Sequence, residues 1–346
     1  MSPQTCYLRT LAIIAVVGAF AGCELREPQR FQFPAMGTLV SVSIYGAPEE
    51  TASAAVRELE SLLTELEHEW RPTGDGALGQ ANTALAEQAR ATIDDDLSLL
   101  IEDAMALSEQ SGGLFDPSLG ELIRLWGFDD SAVDDHVVPD ETAIGNLLGD
   151  TSSLSLEENV LIATRSGVRI DLGAYAKGVA LKRAVELLKA AGIPNAIVNM
   201  GGDLKGYGRA GDRPWRVGVR HPRDSGVLAG IELGNEESVV TSGDYERYFE
   251  LDGKRYHHIL DPRSGYPAAD TISVTVIHED AARADAAATA LFVAGPESWP
   301  EVADALGITH VLFVGVDGTI QMTTPMSERV AFEETGEALD IKVREL

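Results

Sequence analysis

Residues 160–203, VLIATRSGVRIDLGAYAKGVALKRAVELLKAAGIPNAIVNMGGD, decide the fold class. Residues 160–170 read as a strand pair, residues 174–191 as a helix, and residues 195–199 as a strand that stops before Gly201-Gly202. Upstream, residues 33–46 read as a strand carrying Leu39, Ser41, Val42 and Ile44, with Gly37 as a break. Residues 52–70 then show helical spacing through Val56, Leu59, Leu62, Leu63 and Leu66. A second helix is expected over residues 97–111, ended by Gly112-Gly113. Downstream, strands are expected at residues 215–220, 238–241, 271–278 and 310–316, with a helix over 281–293. Strands and helices mix without the strict alternation of a doubly wound sheet, so the class is α+β, mixed β-sheets with packed helices. Residues 128–158 are rich in Asp, Gly and Pro and read as an insertion or subdomain joint. No fixed-period repeat marks a solenoid or propeller.

The chain has 346 residues and a net charge of −28. That balance argues against a polyphosphate partner such as nucleic acid, so a phosphorylated ligand has to be small and held locally, with a metal. Arg9 precedes an apolar run from Leu11 to Ala21 that is too short for a comfortable membrane span and ends in small residues, as a secretory signal does. The two cysteines are Cys6, inside that segment, and Cys23, directly after Phe20-Ala21-Gly22. This arrangement resembles a bacterial lipoprotein signal: residues 1–22 are removed, Cys23 carries a thioether-linked diacylglycerol, and residues 23–32 link it to a domain over 33–346. Two or three acyl chains make a stable anchor, at about 0.8 kcal/mol per buried methylene. The alternative is an ordinary signal with an incidental cysteine. The runs Asp94-Asp95-Asp96, Asp129-Asp130 and Asp134-Asp135 carry no ligand geometry and read as solvated surface, and salt adaptation would account for the acidity.

Four stretches place glycines beside polar groups at element boundaries, where backbone amides can face a ligand. The first, Pro34-Ala35-Met36-Gly37-Thr38, by itself also reads as a strand with a turn glycine. The second runs from Ser111 to Ser118 and on to Leu125-Trp126-Gly127-Phe128, where Phe115, Trp126 and Phe128 offer flat surface to an aromatic ligand or serve as plain core. In the third, Asp171 stands at a strand end and Lys177 in the first turns of a helix, where free N–H groups face an anion and the ammonium adds a point charge for phosphate. A capping aspartate and a surface lysine are the simpler reading, and the glycine spacing excludes a Walker loop. The fourth joins Thr241-Ser242-Gly243-Asp244-Tyr245 to a run from Tyr256 to Pro267 that holds His257, His258, Asp261 and Arg263. Adjacent histidines on a strand point to opposite sides, which disfavours zinc. Further on, Asp285 and Thr289 stand at i and i+4 on one helical face, two hard oxygen ligands suited to Mg²⁺ completed by a backbone carbonyl, water and phosphate oxygens.

Together and in this order, these blocks resemble the ApbE family of FAD:protein FMN transferases, from about Phe33 to Val293. The resemblance rests on Ala35-Met36-Gly37-Thr38, Phe115-Asp116-Pro117 with Leu125-Trp126-Gly127-Phe128, Asp171-Leu172 with Lys177-Gly178, Gly201-Gly202-Asp203, Thr241-Ser242-Gly243, His258 with Asp261-Pro262 and Gly265, and Asp285 with Thr289. It implies cleavage of the FAD pyrophosphate, transfer of FMN to a Thr or Ser hydroxyl of an acceptor protein, and release of AMP. It further implies Mg²⁺ held by Asp285, Thr289 and the Ala174 carbonyl, and an FAD site lined by Met36, Trp70, Leu114, Phe115, Asp116, Asp171, Lys177 and Ile259. His258 is the candidate for proton transfer or phosphate contact, Asp171 is a second catalytic candidate, and Asp261 either orients His258 or stabilises the turn at Pro262. Family acceptors resemble subunits of sodium-pumping NADH:quinone reductase and related membrane complexes, and family members are often lipid-anchored on the periplasmic side of the inner membrane. Two alternatives share the site: a periplasmic FAD pyrophosphatase, and an FAD-binding lipoprotein without chemistry.

Overall fold

The central strands are apolar on both faces, and that fixes a layered architecture. In the strand Thr271–His278, Val274 and Val276 point into one core while Ile272 and Ile277 point into a second, and in His310–Gly315 Val311 and Phe313 oppose Leu312 and Val314 in the same way. A computed structural model describes residues 27–129, 137–148, 153–333 and 339–346. The signal segment, Cys23, Asp130, Asp134 and Asp135 lie outside the described residues. Among the described residues, no helix is long and apolar enough to cross a membrane.

A nine-stranded sheet runs in the order Gln29–Ala35, Thr38–Tyr45, Asn195–Met200, Asp203–Tyr207, Ser238–Gly243, Thr271–His278, His310–Gly315, Ile320–Thr323, Ile341–Arg344. Its neighbours are antiparallel except the last pair. One face packs on the helices Glu49–Glu69, Asp95–Gln110, Ala176–Ala190 and Ala281–Ala305, which with it form the larger core. The other face packs on a three-stranded sheet built from Trp215–Arg220, Val227–Leu233 and Val330–Phe332. A third apolar cluster gathers Leu122, Trp126, Phe128, Ile144, Phe249 and Leu260. The described part of residues 128–158, the helix Glu141–Leu147 and the strand Leu154–Glu157, feeds Ile144 into that cluster.

The α+β reading agrees with this architecture, and four details differ. The stretch read as one strand with a break at Gly37 is a hairpin of two paired strands, beginning at Gln29 inside the stretch read as linker. A single glycine in an alternating run does not distinguish an interruption from a reversal. Residues 160–170 supply one strand, Val160–Ala163, whose partners Leu154–Glu157 and Arg90–Thr92 both lie upstream. The expected helix over 281–293 continues to Ala305, with a break at Gly295, where φ is 75°. Asp94-Asp95-Asp96 is a helix start: Asp94 accepts the Leu97 N–H at 2.8 Å, and Asp96 pairs with Arg183 at 2.6 Å.

A close approach in the helical layer lies between Ala176–Ala190 and Ala281–Ala305. A Cβ on Gly178 would stand 2.2 Å from the Ala281 carbonyl oxygen and 2.6 Å from Ala282 Cα, so only glycine permits the crossing. We expect Gly178→Ala to cost about 3 kcal/mol, the upper part of the overpacking range because the obstructing atoms are backbone. Urea unfolding followed by circular dichroism measures this, and an unchanged midpoint would contradict the crossing.

A second expectation concerns His257, at the end of the hairpin Tyr248–Leu251 and Lys254–His257. Its imidazole is buried, Nε2–H donates to the Ala268 carbonyl at 2.8 Å, and Nδ1 accepts the Ile259 N–H at 3.3 Å. Burial lowers its pKa below the usual 6.5, with Arg255 and Arg223 adding to the shift and Asp244 and the Ala268 contact opposing it. Below about pH 6.5 the unfolded chain therefore takes up a proton that the folded chain refuses. The contribution is intact above that pH and is lost as the pH falls through the depressed value. Stability should fall between pH 7 and pH 5, and His257→Gln should show a shallower loss in urea titrations at the two pH values.

Candidate active site

Two tight turns meet at one end of the large sheet. Met36-Gly37 closes the first hairpin with φ of 56° and 67°, and Gly201-Gly202 closes the next with φ of 66° and 110°. A Cβ on Gly201 would meet Thr38 Oγ1 at 2.6 Å, which packs one turn against the other. A left-handed residue other than glycine costs about 1–2 kcal/mol. The Met36 N–H donates to Glu67 Oε2 at 2.7 Å, and a hydrogen bond to a charged acceptor contributes on the same scale. Glu67 thus holds Met36 in a conformation that places it on the wall of a cavity of about 490 Å³.

The next wall is the segment ahead of the helix Ala176–Ala190. Asn82 is buried in the helix Ala77–Gln88, gives its amide N–H to the Ile170 carbonyl at 2.8 Å and accepts the Ile170 N–H at 2.8 Å. That pair of bonds sets where Asp171 stands, and Asp171 Oδ1 accepts the Gly173 N–H at 2.8 Å. Ala174 follows on the cavity wall, and the buried Tyr175 donates its hydroxyl to Asp103. The helix begins at Ala176, and its first turn is not left open for an anion. The Gly178 N–H donates to Asp285 Oδ2 at 2.9 Å, and Lys177 pairs with Asp203. Asp203 also accepts the Thr241 N–H, at 3.0 Å.

Asp285 is 4% exposed, so its charge has little water to stabilise it. Burial, opposed by Lys177 and reinforced by Asp203, pushes its carboxyl well above the ordinary range. Burial also works against the Lys177 charge, but Asp203 and Asp285 more than compensate and raise its pKa. One turn on from Asp285, Thr289 Oγ1 lies 3.3 Å from Ser242 Oγ. Asp285, Thr289 and Ala174 all line the cavity and offer carboxylate, hydroxyl and carbonyl oxygen, a donor set suited to a hard divalent cation. Among the described residues, no group of three or more His, Cys, Asp or Glu gathers to hold a metal, so neutral oxygens would have to complete the shell. A buried carboxylate raised by its surroundings fits a cation that would restore its charge.

The adjacent histidines diverge as expected for a strand. His257 turns to the core, and His258 lines the cavity. His258 Nδ1 lies 3.2 Å from the Arg247 carbonyl, and the His258 backbone N–H donates to the same oxygen at 3.1 Å. A carbonyl only accepts, so Nδ1 carries the proton and Nε2 is the basic nitrogen. Burial, then the Arg247 charge, hold the imidazole well below 6.5, so it is neutral at pH 7. Asp261 has the turn role: its carboxylate accepts the Arg263 N–H at 2.9 Å and pairs with the Arg263 guanidinium at 2.8 Å.

The remaining expected residues line the same cavity. Leu114, Phe115 and Asp116 come from the loop after Gly112-Gly113, Trp70 ends the helix Glu49–Glu69, and Ile259 follows His258. Phe115 packs beside Tyr175, with ring centroids 6.3 Å apart, and Asp116 Oδ1 accepts the Ser118 N–H at 2.7 Å. Trp70 is nearly covered, with the Arg183 guanidinium 5.0 Å from its ring centroid. Trp126 belongs to the core and not to the cavity wall: it stacks on Tyr256 and donates Nε1–H to the Gly265 carbonyl at 2.8 Å. Sequence reading missed Glu67, Asn82 and Arg247. The first two sit on helices where a polar residue looks like surface, and Arg247 sits in a charged hairpin with no motif of its own.

The sequence model of the ApbE family matches residues 36–313. The FAD:protein FMN transferase of Treponema pallidum is 34% identical, over 92% of this chain and 93% of its own length. That of Rhodobacter capsulatus is 37% identical over 91% of this chain, which spans 60% of that relative. The ApbE protein of Thermotoga maritima superposes with a TM-score of 0.81 at 32% identity, covering 88% of this chain and 99% of that one. For the flavinyl transferase ApbE of Pseudomonas stutzeri the TM-score is 0.75 at 31% identity, covering 88% and 98%. With most of its length matched in both sequence and fold, the chain belongs to the ApbE family.

Proposed function

We propose that this chain is an FAD:protein FMN transferase that splits the FAD pyrophosphate, esterifies FMN to a Thr or Ser hydroxyl of an acceptor protein and releases AMP, with Mg²⁺ as cofactor. One observation carries the reading: an oxygen donor set at Asp285, Thr289 and Ala174, a neutral imidazole at His258 and an apolar wall at Met36, Leu114, Phe115 and Ile259 all line one cavity. The names of the relatives supply the flavin and the transfer.

The residues divide the work by chemistry. Asp285, Thr289 and the Ala174 carbonyl would hold Mg²⁺, which when bound neutralises and polarises phosphoryl oxygens. Lys177 fixes Asp203 and moderates the negative wall beside Asp285. Met36, Phe115 and Ile259 give the isoalloxazine ring an apolar, water-poor surface. His258 Nε2 takes the proton of the acceptor hydroxyl as that oxygen approaches phosphorus, and the Nδ1–H contact to Arg247 keeps the ring aimed and in the required tautomer. We place the chain on the periplasmic side of the inner membrane through lipid on Cys23, and its acceptor in a membrane electron-transfer complex such as sodium-pumping NADH:quinone reductase. The signal segment and the family resemblance support both placements.

Incubating the chain from residue 24 onward with FAD, Mg²⁺ and an acceptor bearing the target Thr should give a covalent yellow label and free AMP. AMP without label would mean hydrolysis, and intact bound FAD would mean storage. Asp285→Ala should lower turnover at least about a hundredfold, near 2.7 kcal/mol of barrier, and unchanged Mg²⁺ dependence in that variant would contradict the ligand assignment. His258→Gln should cost about 10²–10⁴-fold in rate, the usual worth of a positioned acid or base.

A further inference from the structure

Among the described residues, three cationic side chains line the cavity, and two are engaged by carboxylates. Lys177 is paired with Asp203, and Arg71 Nη2 lies 3.4 Å from Glu67 Oε1. Arg247 differs. Among the described residues it forms no ion pair, and its side chain makes one hydrogen bond, from Nη1 to the Phe128 carbonyl at 3.1 Å. The adjoining Glu246 interacts electrostatically with Lys177, Arg220 and Asp203. A guanidinium has five N–H donors in a planar fork, so most of the Arg247 head is uncommitted while its position is set.

The cavity has a need for that charge. Lys177 pairs with Asp203 and also faces Asp285, so its charge is already committed to carboxylates and is not free for a diphosphate. Arg247 lies toward the His258 side: its carbonyl holds the imidazole, and its guanidinium charge is felt there. We propose that Arg247 binds the diphosphate bridge of the dinucleotide through its uncommitted N–H groups, and so makes the site select a dinucleotide over bare flavin. This rests on the flavin reading above. It reassigns the phosphate contact expected of Lys177 to a residue that no motif marked. The Phe128 carbonyl holds the fork in place before ligand arrives, which reduces the ordering cost of binding. The same residue that reads the phosphates also aims the proton acceptor, so binding of the correct anion and orientation of His258 share one hairpin strand end.

The test compares FAD, ADP and riboflavin binding to the full chain and its Arg247 variants, by flavin fluorescence and calorimetry. Arg247→Gln can keep a hydrogen bond to the Phe128 carbonyl but lacks charge. It should weaken FAD and ADP at least about tenfold, the scale of a hydrogen bond to a charged group, and change riboflavin less than about twofold. The salt dependence of FAD affinity should become shallower, and Arg247→Lys should recover part of the loss. Unchanged FAD and ADP affinity in Arg247→Gln overturns the proposal. So does a parallel loss of riboflavin, which marks a structural role through Phe128. Failure of the unsubstituted chain to bind FAD overturns the flavin reading itself, and this assignment with it.

Discussion

The hydrogen bond from the Gly178 amide to the Asp285 carboxylate is the constraint on which the site turns. It exists because two helices approach at a point where no side chain fits, and it crosses from the start of one helix to the first turns of the other. The cost of burying a carboxylate is offset in part by a backbone donor and by the charge of Lys177. A looser crossing would let Asp285 swing and fill with water. The alanines between Asp285 and Thr289 are buried in the larger core, where larger residues would not fit without repacking.

Around that fixed point the cavity separates its charges. The carboxylates Asp203 and Asp285 sit deep with Lys177, the neutral imidazole of His258 sits just after the hairpin, and the apolar side chains of Met36, Leu114, Phe115 and Ile259 come from separate turns and loops. The acidity of the whole chain contributes little here. Of its aspartates at residues 94–96, Asp94 caps a helix and Asp96 pairs with Arg183, while the charges that shape the cavity come from separate elements brought together by the fold.

How far this was legible beforehand depended on whether a residue's role is written in its neighbours. Met36, Asp171, Asp285 and Thr289 stand near glycines or small residues whose spacing announces a turn or a close approach, His258 precedes the turn from Pro262 to Gly265, and all five line one cavity. The hairpin at Met36-Gly37 was less clear, because one glycine in an alternating run fits a kinked strand as well as a reversal. Asn82 carried no local sign at all. Its two bonds to Ile170 span 88 residues of chain and arise only once the helix Ala77–Gln88 is in place. The sequence leaves Lys177 open between a phosphate contact and a surface lysine, because nothing nearby shows that Asp203 pairs with it. Trp126 was open between ligand contact and core, and its partner for the indole N–H, the Gly265 carbonyl, lies far along the chain.

The left-handed Met36 sets protein robustness against ligand fit. Asparagine or glycine suits that backbone better, and an Asn-Gly reversal is the sturdier way to join two antiparallel strands. A lineage adapting to heat would gain from the exchange at once. It would also strip the cavity of a flexible, polarisable thioether, a side chain well suited to lie against a flat heteroaromatic ring. Methionine here therefore trades backbone ease for a flexible thioether on the cavity wall.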